Sequence, residues 1–240
     1  MRNLALFFGS LLILVALIGL VQPIYYLAKG ALSQVLLQQA WEETVLSWQE
    51  TLAGSNQPQL KISEALSSKR YEKDFDTLSL NKQKGSQVKP WPWADTWPVF
   101  KMTVLRKSFS DFRQHYPEYL ALESWIVLAD ASGESLAFGP GLVTPNFLPG
   151  QQGNSLIAAH RDSHFRNLDT LRINDRIRIE MRDGNVWNFD IDDIRVVDAV
   201  SRPDVDTNEY RISLITCYPF DMAVQNPSQR LIVSGKLSIW

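Results

Sequence analysis

The chain has 240 residues, a formal net charge of −2 and an apolar content of 45%. A chain of this length fits one ordinary domain plus a smaller part, and it carries enough apolar residues to bury a core. The nearly balanced charge, without any strongly basic stripe, argues against a nucleic-acid-binding protein.

The first element is an uncharged apolar run over Leu4–Val21, followed by Tyr25–Tyr26. About 18 such residues make a transmembrane candidate, and tyrosines suit the membrane–water interface. A cleaved signal peptide is the alternative, because small residues surround position 29, although its apolar part is normally only about 7–15 residues long. Either interpretation places the remaining chain outside the cytoplasm. We expect an uncleaved single-pass anchor over 1–28.

A helical stalk and a polar linker are expected over 29–90. An apolar stripe with intervals of three and four residues predicts an amphipathic helix, which ends near Gly54. The lysine-rich, polar sequence that follows is typical of a linker. The segment "KPWPWADTWPVF" then marks a boundary at residue 91, because its prolines exclude a helix interior and its tryptophans are typical of a clamp for a chain terminus. The residues of the stripe are Leu37, Trp41, Val45, Trp48 and Leu52.

From residue 91 to residue 240 the pattern is mainly β. "RIRIEMR" alternates strictly, Asp183-Gly184 is a turn signal, and alternation resumes from Trp187, so 176–194 predicts a hairpin. Several short strands of this spacing suggest a closed barrel or a sandwich. Only "SHFRNLDTLRIND" has apolar residues at helical spacing. The other predicted strands are Val99–Leu105, Trp125–Leu128, Ser155–Ala159, Ile212–Cys217 and Leu231–Ile239.

Cys217 is the only cysteine of the chain. In an exported protein it has no internal disulfide partner, which leaves a buried spectator, an intermolecular link or a nucleophile. Pro219 ends the strand that carries it, so the thiol is expected at the rim of a sheet face. If the strands on either side of residues 218–229 pair as antiparallel neighbours, Arg230 lies beside Cys217.

His160 ends another short apolar run, before a polar loop. Cysteine, histidine and arginine have a common chemical logic. The thiolate is the nucleophile, an imidazolium can protonate a poor amine leaving group, and a guanidinium can stabilise an oxyanion. Each residue alone also has a plain structural interpretation. A metal site is a further alternative, because His160 and His164 stand four apart, but no glutamate or cysteine pair of the usual motifs accompanies them.

Several stretches resemble the sortases, the membrane-anchored cysteine transpeptidases, and most of all the type found in marine proteobacteria. "SLITC" is similar to the TLxTC pattern that carries the family's cysteine. "GNSLIAAHRDSHFRNLDTLRINDRI" resembles the region around its histidine, and "QRLIV" resembles the segment with its arginine. The resemblance covers about 91–240 and the single N-terminal anchor. It implies that His160, Cys217 and Arg230 are the catalytic residues.

The resemblance also implies a closed sortase-type eight-stranded β-barrel with short helices, preceded by a transmembrane helix and a helical stalk. The expected activity is cleavage of a C-terminal sorting signal of exported proteins through a thioester on Cys217, followed by transfer to an amine acceptor. No metal or organic cofactor is expected. The expected location is the cytoplasmic membrane, with the catalytic domain on the extracytoplasmic side. Two alternatives stay open: a non-catalytic, anchored β-barrel that binds a partner, and a Cys-His peptidase that transfers only to water.

Overall fold

The computed structural model describes residues 32–50, 87–108, 118–143, 147–201, 203–221, 224 and 226–238. Its main feature is a closed barrel of eight strands in the order β1-β2-β3-β4-β7-β8-β6-β5. The prediction of a mainly β, eight-stranded closed barrel is therefore confirmed. The strands are β1 Pro98–Ser108, β2 Glu118–Leu128, β3 Gly141–Leu142, β4 Gly153–Ala158, β5 Arg176–Met181, β6 Val186–Asp198, β7 Tyr210–Tyr218 and β8 Gln229–Leu237.

The pairing of the strands is antiparallel except at two places. β4 runs parallel to β7, and β2 runs parallel to β3 through one residue pair. Parallel neighbours need a long crossover. The chain that connects β4 to β7 contains the hairpin of β5 and β6. In the barrel, β7 lies between β4 and β8.

The predicted hairpin is present, and its second strand runs on to Asp198. Ile177 and Ile179 are fully buried on the inward face of β5, as the alternation required. Gly184 has a φ of 84° in the turn, a conformation that glycine adopts without the strain that a Cβ would bring. The Asp183 carboxylate accepts a hydrogen bond from the backbone N–H of Asn185 at 2.9 Å and closes the turn.

The barrel core consists of side chains that alternate inward along the strands. These residues pack into one hydrophobic cluster, which is the usual result when every strand turns one face to a closed interior. Fully buried members are Phe100, Met102, Val127, Ile177, Ile179, Phe189, Ile212, Leu214 and Val233.

A helix, α1, covers 32–50 and packs against the barrel. Leu37 and Ala40 are buried, and Trp41 belongs to the same hydrophobic cluster as the barrel strands. The Arg182 guanidinium lies 4.6 Å from the ring centre of Trp48, a cation–π contact. The apolar stripe of the predicted stalk helix is therefore turned onto the barrel. The predicted division at 28/29 and 90/91 stays a prediction.

The described residues include no helix that is long and apolar enough to cross a membrane. The predicted anchor over Leu4–Val21 lies outside the described residues, and so do residues 51–86, which include the predicted end of the stalk helix near Gly54 and most of the predicted linker up to residue 90.

The tryptophan-rich segment before β1 contacts the domain at two points. The ring of Trp91 meets that of Phe138 edge-on at 4.6 Å. The carbonyl of Trp97 accepts a hydrogen bond from the N–H of Ala129 at 3.0 Å. Trp93 is 77% exposed. Trp91 and Trp97 therefore attach the segment that precedes β1 to the barrel.

The connection from β4 to β5 differs from the helix that its spacing suggested. It consists of turns and a short 3₁₀ helix, Leu168–Thr170. Phe165, Leu168 and Leu171 are buried, and their interval of three matches the three residues per turn of a 3₁₀ helix better than the 3.6 of an α-helix. Gly133–Leu136 forms the other short helix, α2, which the sequence had not indicated.

Candidate functional site

Cys217 lies one residue before the end of β7 and faces outward from the barrel. Ile212, Leu214 and Thr216 are buried on the inward face. Cys217 belongs to the opposite face, because successive side chains of a strand point to opposite sides. The thiol is free and half-buried. The predicted position at the rim of a sheet face is confirmed.

Arg230 is the direct partner of Cys217 across the antiparallel pair of β7 and β8. Their side chains therefore share the outward face, since opposite residues of an antiparallel pair project to the same side. The Arg230 Nη1 donates to the carbonyls of Pro227 at 3.0 Å and Gln229 at 2.9 Å. These bonds fix one nitrogen of the guanidinium.

His160 follows the end of β4 on the other side of β7. The last parallel pair is Ala158 with Ile215, so two further residues on each strand bring His160 level with Cys217. The hydrogen bonds continue past that pair, because the N–H of Ala159 donates to the Ile215 carbonyl at 3.2 Å. The His160 side chain is exposed.

A buried hydroxyl holds these two strand ends together. The Thr216 Oγ1 donates to the Ala159 carbonyl at 2.8 Å, and both residues are buried. They immediately precede Cys217 and His160. Neighbouring strands lie about 4.8 Å apart. Cys217 pairs with Arg230 across β7 and β8, and the β4–β7 register, continued by two residues beyond Ala158, brings His160 level with Cys217; we call these three positions the row.

Behind that row, the outward face becomes apolar and then polar. The next row consists of Ala158, Ile215 and Ile232, and Ile232 is 1% exposed. The following row contains Ser213 and Ser234, whose hydroxyls share a hydrogen bond of 2.8 Å while both are buried. The row of His160, Cys217 and Arg230 therefore borders apolar side chains, of which Ala158 and Ile215 are half-buried.

The polar part of this face is closed by the connection between β6 and β7. The Ser213 hydroxyl donates to the Asn154 Oδ1 at 3.1 Å, and the Asn154 Nδ2 donates to the Asp204 carbonyl at 3.1 Å. A polar cavity of about 380 Å³ lies here, lined among others by Asn154, Pro203, Asp206, Arg211 and Ser234.

His164 is half-buried, and the charge of His160 affects its pKa. Burial lowers the pKa of His164, and the positive charge of His160 lowers this pKa further. His164 is therefore held neutral in the folded protein over a wider pH range than an exposed histidine.

The metal alternative depended on His160 and His164. Within the part of the chain that the structure describes, no group of three or more histidine, cysteine or acidic residues is placed to hold a metal ion. His164 stands in a turn and His160 lies just before it, so the two histidines are not on one helical face and the spacing argument for a shared metal does not apply.

Sequence reasoning missed the residues that support the row. Thr216 lies next to Cys217, and strand alternation alone could have predicted that its side chain points inward, opposite to the thiol. Nothing in the sequence indicated that Asn154, Ser213 and Ser234 contact each other, because their strands are joined only by the barrel.

Comparison with known proteins gives a consistent result. The sortase domain family matches residues 119–238, which is half of the chain. Sortase D of Bacillus subtilis strain 168 is 27% identical over 112 residues, which cover 46% of this chain and 56% of that protein. The matched length is thus less than two thirds of this relative.

Solved structures of streptococcal sortases are similar to the chain. Sortase C1 of Streptococcus agalactiae is 27% identical with a TM-score of 0.45, over 49% of this chain and 62% of the other. Sortase C of Streptococcus pneumoniae is 25% identical with a TM-score of 0.44, over the same shares of 49% and 62%. Because the family match extends from β2 through β8 and includes the row of His160, Cys217 and Arg230, the chain belongs to the sortase family.

Proposed function

We propose that the protein is a cysteine transpeptidase that cleaves a C-terminal sorting signal of exported proteins and joins the new carboxyl end to an amine. The observation that carries this proposal is the row of His160, Cys217 and Arg230 across β4, β7 and β8. Family members are cysteine transpeptidases, and this row supplies the three groups that such a reaction needs.

In the first half of the reaction, the Cys217 sulfur attacks a peptide carbonyl of the sorting signal. The carbonyl oxygen gains negative charge, and the Arg230 guanidinium stabilises it by charge-assisted hydrogen bonds. The C–N bond then breaks, and the departing nitrogen takes a proton from the His160 imidazolium. The products are a thioester on Cys217 and a free amine on the departing peptide.

In the second half, an acceptor amine attacks the thioester. His160, now neutral, accepts a proton from this amine, and the Cys217 thiolate departs as the new amide forms. The amine is the second substrate, so the reaction conserves an amide bond and needs no external energy source. Neither half of the reaction requires a metal or an organic cofactor.

The arrangement of Arg230 fits this role without large rearrangement. A guanidinium has five N–H donors in a rigid fork. The bonds to Pro227 and Gln229 use Nη1, and the donors on the other nitrogens are the ones we assign to the substrate oxygen.

We also propose the chain organisation that the sequence predicted. Residues 1–28 form a single-pass anchor in the cytoplasmic membrane, 29–90 form the helical stalk and linker, and 91–240 form the catalytic barrel outside the cytoplasm. Fusion of alkaline phosphatase to the C-terminus tests the topology. An active phosphatase supports it, whereas activity only of a cytoplasmic reporter at the same position contradicts it. The kinship with the marine proteobacterial type of sortase stays a prediction.

Mass spectrometry of the barrel with α1, incubated with a library of peptides, tests the reaction. We expect an acyl adduct on Cys217 for a subset of peptides, and transfer of that acyl group to added amines. Cys217→Ala is the matched control and should give no adduct. Hydrolysis that added amines never divert indicates a peptidase that transfers only to water. Absence of any adduct across the library favours a non-catalytic binding barrel.

A further inference from the structure

Arg161 occupies a position that the proposed chemistry does not use. It directly follows His160, and its side chain is half-buried. Its guanidinium donates from Nη1 to the carbonyl of Pro219 and from Nη2 to the carbonyl of Val224. Both carbonyls belong to the connection between β7 and β8, more than fifty positions further along the chain.

That connection joins two residues of the catalytic row. It begins directly after the strand that carries Cys217, and it ends at the strand that carries Arg230. Val224 is itself held to the start of the connection, because its N–H donates to the Asp221 carbonyl at 3.2 Å. The side chain of Arg161 therefore ties the residue next to His160 to the segment that links the thiol and the guanidinium.

The main chain of His160 is fixed on both sides by these contacts. Before it, Ala159 is bonded to Ile215 and Thr216 of β7. After it, Arg161 is bonded to Pro219 and Val224. The His160 carbonyl also accepts the N–H of Phe165 at 3.1 Å. A small change in this frame displaces the imidazole relative to the thiol.

The chemistry of the contact requires an arginine. Two nitrogens of one planar group bind two separate carbonyls, which fixes both their distance and their direction. A lysine ammonium is a compact charge on a flexible stem, and it can bind one of the carbonyls without holding the second in the same geometry. An apolar side chain leaves both carbonyls to find other partners.

The connection is thus anchored by a guanidinium at each end. Arg230 binds the carbonyl of Pro227 near the far end, and Arg161 binds Pro219 at the near end and Val224 further along. Arg230 belongs to the reactive row itself. Arg161 acts only through the backbone that it binds.

We propose that Arg161 is a positioning residue for transpeptidation: it fixes the β7–β8 connection to the end of β4, and thereby sets the relative placement of His160, Cys217 and Arg230. This inference rests on the proposed function. It also makes a structural claim, that Arg161 holds the connection, which can be measured without any turnover.

Three variants test the inference: Arg161→Met, Arg161→Lys and, as a matched control, Arg166→Met. Arg166 lies in the same turn region and its residue is exposed. Hydrogen–deuterium exchange of peptides covering 218–229 is the first measurement. The second is kcat and KM for a peptide that forms the adduct on Cys217. Thermal unfolding midpoints are recorded for every variant.

We expect Arg161→Met to speed exchange across 218–229 and to lower kcat by on the order of 10- to 100-fold, since small misplacements of reacting groups cost about that much. KM should change by less than about threefold, because the substrate contacts remain. Arg161→Lys should be intermediate in both measurements, and Arg166→Met should match the unchanged protein.

Wild-type kcat in Arg161→Met overturns the positioning role, as does unchanged exchange across 218–229. An effect on KM alone also overturns it, because that result assigns Arg161 to substrate binding. If Arg161→Met does not fold, Arg161→Lys decides by the same criteria. Failure of the unchanged protein to form any adduct contradicts the proposed function. It does not contradict the structural claim that Arg161 holds the β7–β8 connection, which the exchange measurement then tests by itself.

Discussion

The two ends of β7 differ in how the outward-facing side chains are bonded: those at the first end bind each other, and the thiol at the second end is free. At the first end, the Arg211 guanidinium donates to Asp192 and Glu209 at 2.5 and 2.9 Å. The buried Ser213 hydroxyl is bonded to Asn154 and Ser234. At the second end, Cys217 is a free, half-buried thiol opposite Arg230 on the neighbouring strand.

The difference shows that one strand has a hydrogen-bonded polar end and an end whose side chains are available for the proposed chemistry. Polar groups at the first end bind each other, which satisfies them inside the protein and fixes the register of β4, β7 and β8. At the second end, the backbone is bonded while the side chains of the row face outward. A rigid frame with reactive groups at its rim is the arrangement that preorganised catalysis needs.

The largest expected effect comes from the second end. Cys217→Ala should remove all turnover of a peptide that acylates the unchanged protein, because no other thiol is present in the chain. The unfolding midpoint should stay within a few degrees, since a small half-buried rim residue contributes little to the core. Turnover and thermal unfolding of the same preparation check this. Cleavage above background by the alanine variant contradicts nucleophilic catalysis by Cys217.

Next in size are the two basic residues of the row. His160→Ala should lower the acylation rate by roughly 10²–10⁴-fold, the usual range for general acid–base catalysis. Arg230→Lys should lower it by about 10²–10³-fold, as for loss of an oxyanion donor. An activated ester, whose leaving group needs no proton, should partly rescue the histidine variant and not the arginine variant. Equal rescue of both variants, or of neither, contradicts the assigned roles.

At the first end, substitution should affect stability and spare the chemistry. Ser213→Ala leaves the buried Asn154 Oδ1 and the Ser234 hydroxyl short of a partner, which should cost about 1–3 kcal/mol of unfolding free energy. Denaturant unfolding measures this. Ser124→Ala, which removes an exposed hydroxyl bonded to Thr103 at 3.0 Å, is the control and should change stability by less than about 0.5 kcal/mol. Equal effects of both substitutions contradict the claim that the buried hydrogen bonds of Ser213 stabilise the fold more than an exposed hydrogen bond does.

The smallest expected effect is a pH dependence from His164. Its folded-state pKa is lowered by burial and then by the charge of His160. The unfolded state therefore takes up a proton first as pH falls below about 6.5, and the free energy of unfolding decreases from that pH downward. His164→Gln should flatten the decrease. Urea unfolding between pH 5 and 8 checks this, and an identical decline in both proteins shows that His164 does not cause it.

Much of the barrel could be predicted, because strand alternation and turn residues are local signals. The hairpin at Asp183-Gly184 followed from them, and so did the rim position of Cys217. The pairing of Cys217 with Arg230 was predicted as well, because two strands joined by one loop are commonly antiparallel neighbours. The register confirms it.

The remaining features depend on long-range packing. The parallel pairing of β4 with β7 skips two strands, so only the family resemblance placed His160 near Cys217. The pattern around Trp41 predicted a helix with one apolar face, but it contained no information on the surface that buries it. The contacts of Arg161 with Pro219 and Val224 depend on the same pairing, so no local pattern indicated them.

The parallel crossover between β4 and β7 has a consequence for the order of events after synthesis. Ala159 and Thr216, which join the two reactive strand ends, lie 57 positions apart in the chain. Contacts of this separation form slowly, since loop closure must precede them. The chain between these two residues includes the hairpin of β5 and β6, so the contact can close only after that whole segment has been synthesised. Under the proposed function, we therefore expect Cys217 to gain the assistance of His160 only after β4 and β7 have paired.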